Sequence, residues 1–211
     1  MTFGELKEAL GDLMARTDYT DAKRAQHINR AIRRIQRVAK LPMMERSHFV
    51  ATDDRSGIDI PDDLIALKHF FIAETGCHLE KIDLNRIRQV EDRITAGQEC
   101  PRYFYRVSDR YITLPKRPFE DIVLIYYAAW DPLQFDGDFN EITVKAPEAI
   151  LYCAASYACT YFMDSRVQEM EQRFQAMAED LKVEQWNEEI ATSSAQTIEP
   201  TTLPEAYPGG W

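Results

Sequence analysis

Between Ala149 and Met163 almost every position of a helical reading is apolar or small. Such a helix has no face to offer water, so it needs cover on several sides. The chain must therefore supply other helices to wrap it, and candidates stand at both ends. Ala146-Pro147-Glu148 starts the apolar helix, with proline in the first turn and an acid at the positive end of the dipole. After a break at Asp164-Ser165, Val167, Met170, Phe174, Met177 and Leu181 recur in steps of three and four. That spacing is a seam for packing one helix on another. Near the N-terminus Thr2 and Glu5 form a capping box for a short helix to about Ala15. Asp18 or Thr20 caps a second helix from Asp21 to about Lys40, with Ile28, Ile32, Ile35 and Ala39 on its apolar stripe. Arg30, Arg33, Arg34 and Arg37 fall on other faces, and Pro42 stops the helix.

The period changes between Ser47 and Trp130. His48 to Thr52 reads as a strand, followed by an Asp53-Asp54-Arg55-Ser56-Gly57 turn and the alternating Ile58-Asp59-Ile60. Leu67 to Ala73 and Cys77 to Ile82 are two more strands around Glu74-Thr75-Gly76. A weak helical period covers 83–95 and ends at Gly97. Tyr103 to Val107 and Tyr111 to Leu114 flank Ser108-Asp109 as a hairpin, and Ile122 to Trp130 is the strongest strand. The connections read as too short for repeated crossovers, which predicts an antiparallel sheet. The expected class is α+β: a bundle of about four helices with an inserted antiparallel β-domain and an extended C-terminal arm. The expected divisions are bundle helices at 1–46, the β-rich insert at 47–132, further bundle helices at 133–191, and the arm at 192–211.

That arm has neither helical nor strand pattern. Pro200, Pro204 and Pro208 remove backbone donors and fix φ, which excludes a helix or a central strand. Yet Ile198, Leu203, Tyr207 and Trp211 recur through it like anchors. An extended strip with apolar anchors is suited to ordering on a partner; the plainer alternative is a frayed chain end.

The chain carries a net charge of −10 over 211 residues, which argues against a dedicated nucleic-acid binder. The charge is uneven: residues 21–40 hold seven Lys/Arg against one Asp, and residues 164–190 hold three against eight acids. Opposite charges on two helices fit pairing within one chain or head-to-tail contact between copies. No apolar run approaches the roughly 20 residues that span a bilayer, and Met1 to Lys7 lacks the basic-then-apolar order of a signal peptide. The cysteines at 77, 100, 153 and 159 form no double pair of zinc type, so reduced thiols are expected.

No arrangement of catalytic type stands out. Asp136-Gly137-Asp138-Phe139-Asn140 copies the first, third and fifth positions of a calcium loop. Glu141 replaces the required glycine and Pro147 the bidentate glutamate, so a polar connection accounts for it. Cys77-His78 with Cys100 lacks a fourth ligand at metal-site spacing. His27, His48 and His69 adjoin no nucleophile motif, no glycine loop cradles phosphate, and no acid pair is marked by spacing. The expectation is a non-enzyme with no cofactor. Arg30, Arg33, Arg34 and Arg37 form the one basic face with the density for phosphate contacts, or for an acidic helix.

Several pieces in order resemble a known family. They are His27-Ile28-Asn29-Arg30-Ala31-Ile32-Arg33-Arg34-Ile35-Gln36, Ile60-Pro61-Asp62-Asp63-Leu64, Tyr103-Phe104-Tyr105, and Ile112-Thr113-Leu114-Pro115. Ile125-Tyr126-Tyr127 follows, before Asp131-Pro132-Leu133; then come Asn140, Pro147-Glu148, Leu151-Tyr152 and Tyr161-Phe162-Met163-Asp164. Over about residues 2–185 the chain is similar to the head-to-tail connector (adaptor) proteins of short-tailed bacteriophages. It departs at Glu141-Ile142-Thr143, where those relatives carry tryptophan and leucines. The resemblance implies a structural virion protein at the head–tail neck, assembled as a twelve-fold ring between the portal protein and the tail nozzle or tube. It implies a central channel for DNA retention and ejection, with the arm on the portal. A DNA-binding accessory protein using helix 21–40 is the rival expectation.

Overall fold

The computed structural model describes residues 1–91, 101–116 and 118–194. Helix α1 (Phe3–Met14) begins with the reciprocal capping box: Glu5 N–H donates to Thr2 Oγ1, and Thr2 N–H to the Glu5 carboxylate at 2.8 Å. Helix α2 (Asp21–Ala39) starts after Thr20, whose side chain makes no cap bond, and ends at Lys40 in the left-handed region. A 3-10 turn at Pro42–Met44 leads into β1 (Glu45–Ala51), β2 (Gly57–Asp59), β3 (Leu64–Ile72) and β4 (Glu80–Lys81). The short α3 (Ile87–Glu91) precedes β5 (Tyr103–Val107), β6 (Arg110–Leu114) and β7 (Asp121–Ala128). Helices α4 (Glu141–Lys145), α5 (Pro147–Phe162) and α6 (Val167–Ser194) complete the described chain. The mixed α+β class matches expectation.

Two boundaries move. The first strand starts at Glu45, so 45–46 belong with the strands, and α6 runs through Ser194, so 192–194 are helical. Helix α4 went unforeseen because five residues are too few to show a period. Its signal was Asn140, whose side chain accepts the N–H of Thr143 while Thr143 Oγ1 accepts that of Asn140.

The strands form two small sheets, ordered β1-β7-β3 and β2-β6-β5-β4. β7 lies central in the first and is antiparallel to both neighbours. The expectation of a wholly antiparallel arrangement fails at one place: β4 pairs with β5 in parallel. The segment from Cys77 makes one bridge, His78 to Phe71, before reaching β5. The connection 82–102, with α3 inside it, supplies the long return that a parallel pair needs.

Two apolar clusters result. One gathers Phe3, Leu6 and Leu10 of α1, the isoleucine stripe of α2, the small residues of α5, and Met170, Phe174 and Leu181 of α6. The packed face of α5 predicted its central place: Ala149, Ile150, Cys153, Ala154, Ala155, Ala158 and Cys159 are all buried. The second cluster lies between the sheets, where Phe104 meets Phe70 at 4.5 Å and Tyr111 at 5.4 Å between ring centroids. Edge-to-face rings at these separations pack well.

One clip fixes the strand-to-helix connection onto the bundle. Asn29 of α2 donates from Nδ2 to the Leu133 carbonyl and accepts the Leu133 N–H at Oδ1, both at 2.9 Å. The side-chain amide thereby acts as a strand neighbour for a loop that would otherwise bury an unpaired peptide group. Across the same region Asp63 accepts the Tyr126 hydroxyl at 2.9 Å and pairs with Arg46 at 2.8 Å.

Candidate functional site: the basic face of helix α2

Because α2 turns its isoleucines inward, the side chains three and four residues away are set on its outer surfaces. Arg30, Arg33 and Arg37 are exposed at i, i+3 and i+7 and so share one stripe. Arg30 is braced by the ring of Tyr157 on α5, its guanidinium carbon 4.1 Å from the centroid. Arg37 Nε donates to the Arg33 carbonyl. The stripe thus presents three cations on a rigid helix.

Arg34 is the exception within the expected set. It turns into the bundle, where both its terminal nitrogens donate to the Glu171 carboxylate of α6, one at 2.9 Å, and its guanidinium carbon lies 4.6 Å from the Phe174 centroid. Glu171 holds the Arg34 guanidinium in its charged form, and Arg34 in turn lowers the Glu171 pKa. One pair across the two opposed charge blocks is therefore joined inside a single chain. Sequence reasoning had both routes open, and α2 uses the internal one at this residue.

The residues weighed for metal chemistry are engaged locally. Asp138 accepts the backbone N–H groups of Gln134 and Phe135, both at 2.8 Å, which lowers its pKa. Asp136 pairs with Lys7 at 2.5 Å, and the carbonyls of Asp136 and Asp138 accept the N–H groups of Gly4 and Phe3 that start α1. A side chain at position 4 would press on Asp136, since a Cβ there would lie 3.1 Å from the Asp136 Cβ. This loop is a docking collar for α1, a role invisible in the sequence. Cys77 is exposed in the connection between β3 and β4, Cys153 and Cys159 are buried, and Cys100 lies outside the described residues. Among the described residues no three His, Cys, Asp or Glu side chains gather to hold a metal, and no helix is long and apolar enough to cross a membrane.

The four arm anchors, Ile198, Leu203, Tyr207 and Trp211, lie outside the described residues. A feature that sequence reasoning missed is a cleft of about 410 Å³ between the two sheets. Leu64 to Lys68 of β3 form one wall, and Phe104, Arg106 and Tyr111 the other.

A family model described as SU10 adaptor protein matches residues 1–198, spanning both the helices and the strands. The chain belongs to the SU10 adaptor protein family. It is thus a phage head–tail adaptor, a structural rather than catalytic part of the virion that binds other virion proteins. No curated protein matches the chain.

Proposed function

We propose that this adaptor assembles as a ring, a dodecamer by resemblance, between the portal protein and the tail nozzle or tube, and that DNA passes through its centre. The helices build the ring wall, and the β-rich part faces the tail or the adjacent subunit. The observation that carries the reading is the family match across the whole helix–strand–helix order. The arm orders on the portal with Ile198, Leu203, Tyr207 and Trp211 as anchors. Burial of one such large side chain contributes about 1.5–3 kcal/mol, so several per copy outweigh much of the ordering entropy. Repetition round a ring multiplies the effect.

Arg30, Arg33 and Arg37 then face the acidic outer side of α6 in the next copy, where Glu179 and Asp180 are exposed, while Arg34 stays within its own bundle. The second reading, DNA contact along the same stripe, is favoured by its exposure. Steep loss of duplex binding with salt would support it.

Because α6 continues to Ser194, removal of 195–211 leaves every described helix intact. The truncated chain is expected to fold with unchanged helical circular dichroism and to lose co-sedimentation with purified portal rings. Co-sedimentation equal to that of the full chain would refute the arm's role.

A further inference from the structure

Thr52 donates its N–H to the Glu120 carbonyl at 2.9 Å and accepts the Phe119 N–H at 3.1 Å, so its backbone groups face the β7 side. Successive residues of a paired strand turn those groups to alternate edges. Val50, His48 and Arg46 therefore bond β7, and Ser47, Phe49 and Ala51 turn their N–H and C=O groups away from it. Among the described residues β1 is the last strand on that side of its sheet. Arg46 to Phe49 and Ala51 are exposed, which leaves this edge open to water.

The other sheet ends are blunted in ways that resist further pairing. β2 and β4, which end the second sheet, have three and two residues. The register of β3 shifts twice against β7, and its outer side at Phe70 and Ile72 is bonded to Leu79 and Cys77. β1 has none of these defences: it runs seven residues in unbroken register and contains neither proline nor lysine. Its two charged residues are already engaged, Glu45 with Lys68 and Arg46 with Asp63. Ser47 to Ala51 carry no acidic or cationic side chain, although the whole chain has a net charge of −10. An uncharged edge does not select a partner by charge, but it can meet itself without repulsion.

Its pattern is self-complementary. Antiparallel pairing about a two-fold axis at Phe49 places Ser47 opposite Ala51 of the second copy and His48 opposite Val50. The outward groups of Ser47, Phe49 and Ala51 then bond one another across the seam. The two Phe49 rings, each 72% exposed in the single chain, become a cross-strand aromatic pair. Within each sheet Val123 stands opposite both Phe49 and Phe71, so the seam joins two apolar rows into one.

We infer that two copies of the free adaptor pair edge to edge through β1, with Phe49 at the centre of the seam. A two-fold contact cannot close a ring, which needs two different surfaces. The pairing therefore belongs to the free chain, beyond the proposed ring, and covers an edge that would otherwise collect other extended segments. One strand seam is narrow beside a standard interface of about 1,600 Å², so dilution reverses it.

Sedimentation equilibrium and hydrogen exchange on the full-length chain test this. The expected result is a monomer–dimer equilibrium, with amides at 47, 49 and 51 exchanging about tenfold or more faster once dilution separates the copies. Phe49→Lys and Phe49→Glu each set like charges opposite one another and should weaken the dimer by about tenfold or more. An equimolar mixture of the two variants should restore it. A chain that stays monomeric at every concentration up to its solubility overturns the inference. So does a dimer that both substitutions leave unchanged, which would place the contact elsewhere. Exchange at 47, 49 and 51 that ignores dilution also overturns it, and that measurement needs no variant.

Discussion

Asn29→Asp is a near-isosteric change that isolates the clip between α2 and the loop after β7. The acceptor survives, so Leu133 N–H keeps its partner. The donor is lost, and a carboxylate oxygen now faces the Leu133 carbonyl across a distance that was 2.9 Å. Leu133 is 6% exposed, so water cannot readily take the donor's place. Removing the donor leaves a buried carbonyl unpaired, which costs about 1–3 kcal/mol. The expected cost at neutral pH is therefore about 1–3 kcal/mol before the repulsion is added, a large part of a typical domain's stability. The penalty should depend on pH. Repulsion raises the folded-state pKa of the introduced carboxyl, so the unfolded chain gives up its proton first and the penalty is full above the folded value. As pH falls through that value the carboxyl regains a proton, donates to the carbonyl, and the penalty shrinks. Urea denaturation of Asn29→Asp, Asn29→Ala and the unaltered chain from neutral to mildly acidic pH measures this. Asn29→Ala should be destabilised with no such recovery relative to the unaltered chain. Equal stability of Asn29→Asp and the unaltered chain at neutral pH, or parallel pH curves for the two variants, would refute the reasoning.

His27 is buried, with Nδ1 2.7 Å from the Tyr19 hydroxyl, its ring against Tyr161, and Lys23 and Arg30 nearby. Burial first, and then the two cations, lower its pKa from 6.5. The unfolded chain therefore takes a proton before the folded one does. Stability is full above that value and falls as pH drops below it, by up to about 1.4 kcal/mol per pH unit. His27→Gln, which can still accept from Tyr19, should remove that part of the slope in acid denaturation curves, and identical slopes would count against it. Cys153 is fully buried and its thiol is pushed up to about 12, chiefly by burial. In the folded chain, iodoacetamide at mildly alkaline pH should label exposed Cys77 and spare Cys153, and peptide mapping that finds both labelled at one rate would disprove this.

Local physics made much of the fold legible. The capping residues at Thr2 and Glu5, the isoleucine stripe of α2, the all-round apolarity of α5 and the seam of α6 each act within a few turns of chain, and each stands as read. What was illegible depends on partners far along the sequence. Nothing near Lys7 announces that it is buried between Asp21 and Asp136. Nothing in the repeat of arginines marks Arg34 as the one that turns inward, because that choice is made by Glu171 and Phe174, more than a hundred residues away. The parallel β4–β5 pair escaped for the same reason: a two-residue strand has no pattern, and its partner lies more than twenty residues further along the chain.

The separated pieces that resemble adaptor proteins gain a physical meaning once the contacts are known. Asn29 of the first piece clips Leu133 of the Asp131-Pro132-Leu133 piece. Asp63 of the Ile60–Leu64 piece takes the hydroxyl of Tyr126, from the Ile125-Tyr126-Tyr127 piece. Phe104 packs between Phe70 and Tyr111, and Asn140 caps α4 just before Pro147 opens α5. Most of these residues lie where strands join the helical bundle or where one sheet meets the other. A chain that must hold its sheets at a fixed angle to its helical bundle needs such joints more than it needs any particular core residue. A polar clip misplaced by an ångström loses its hydrogen bonds outright, whereas apolar packing deforms. The joints, and not the core, therefore set how faithfully each copy holds its sheets against its helices.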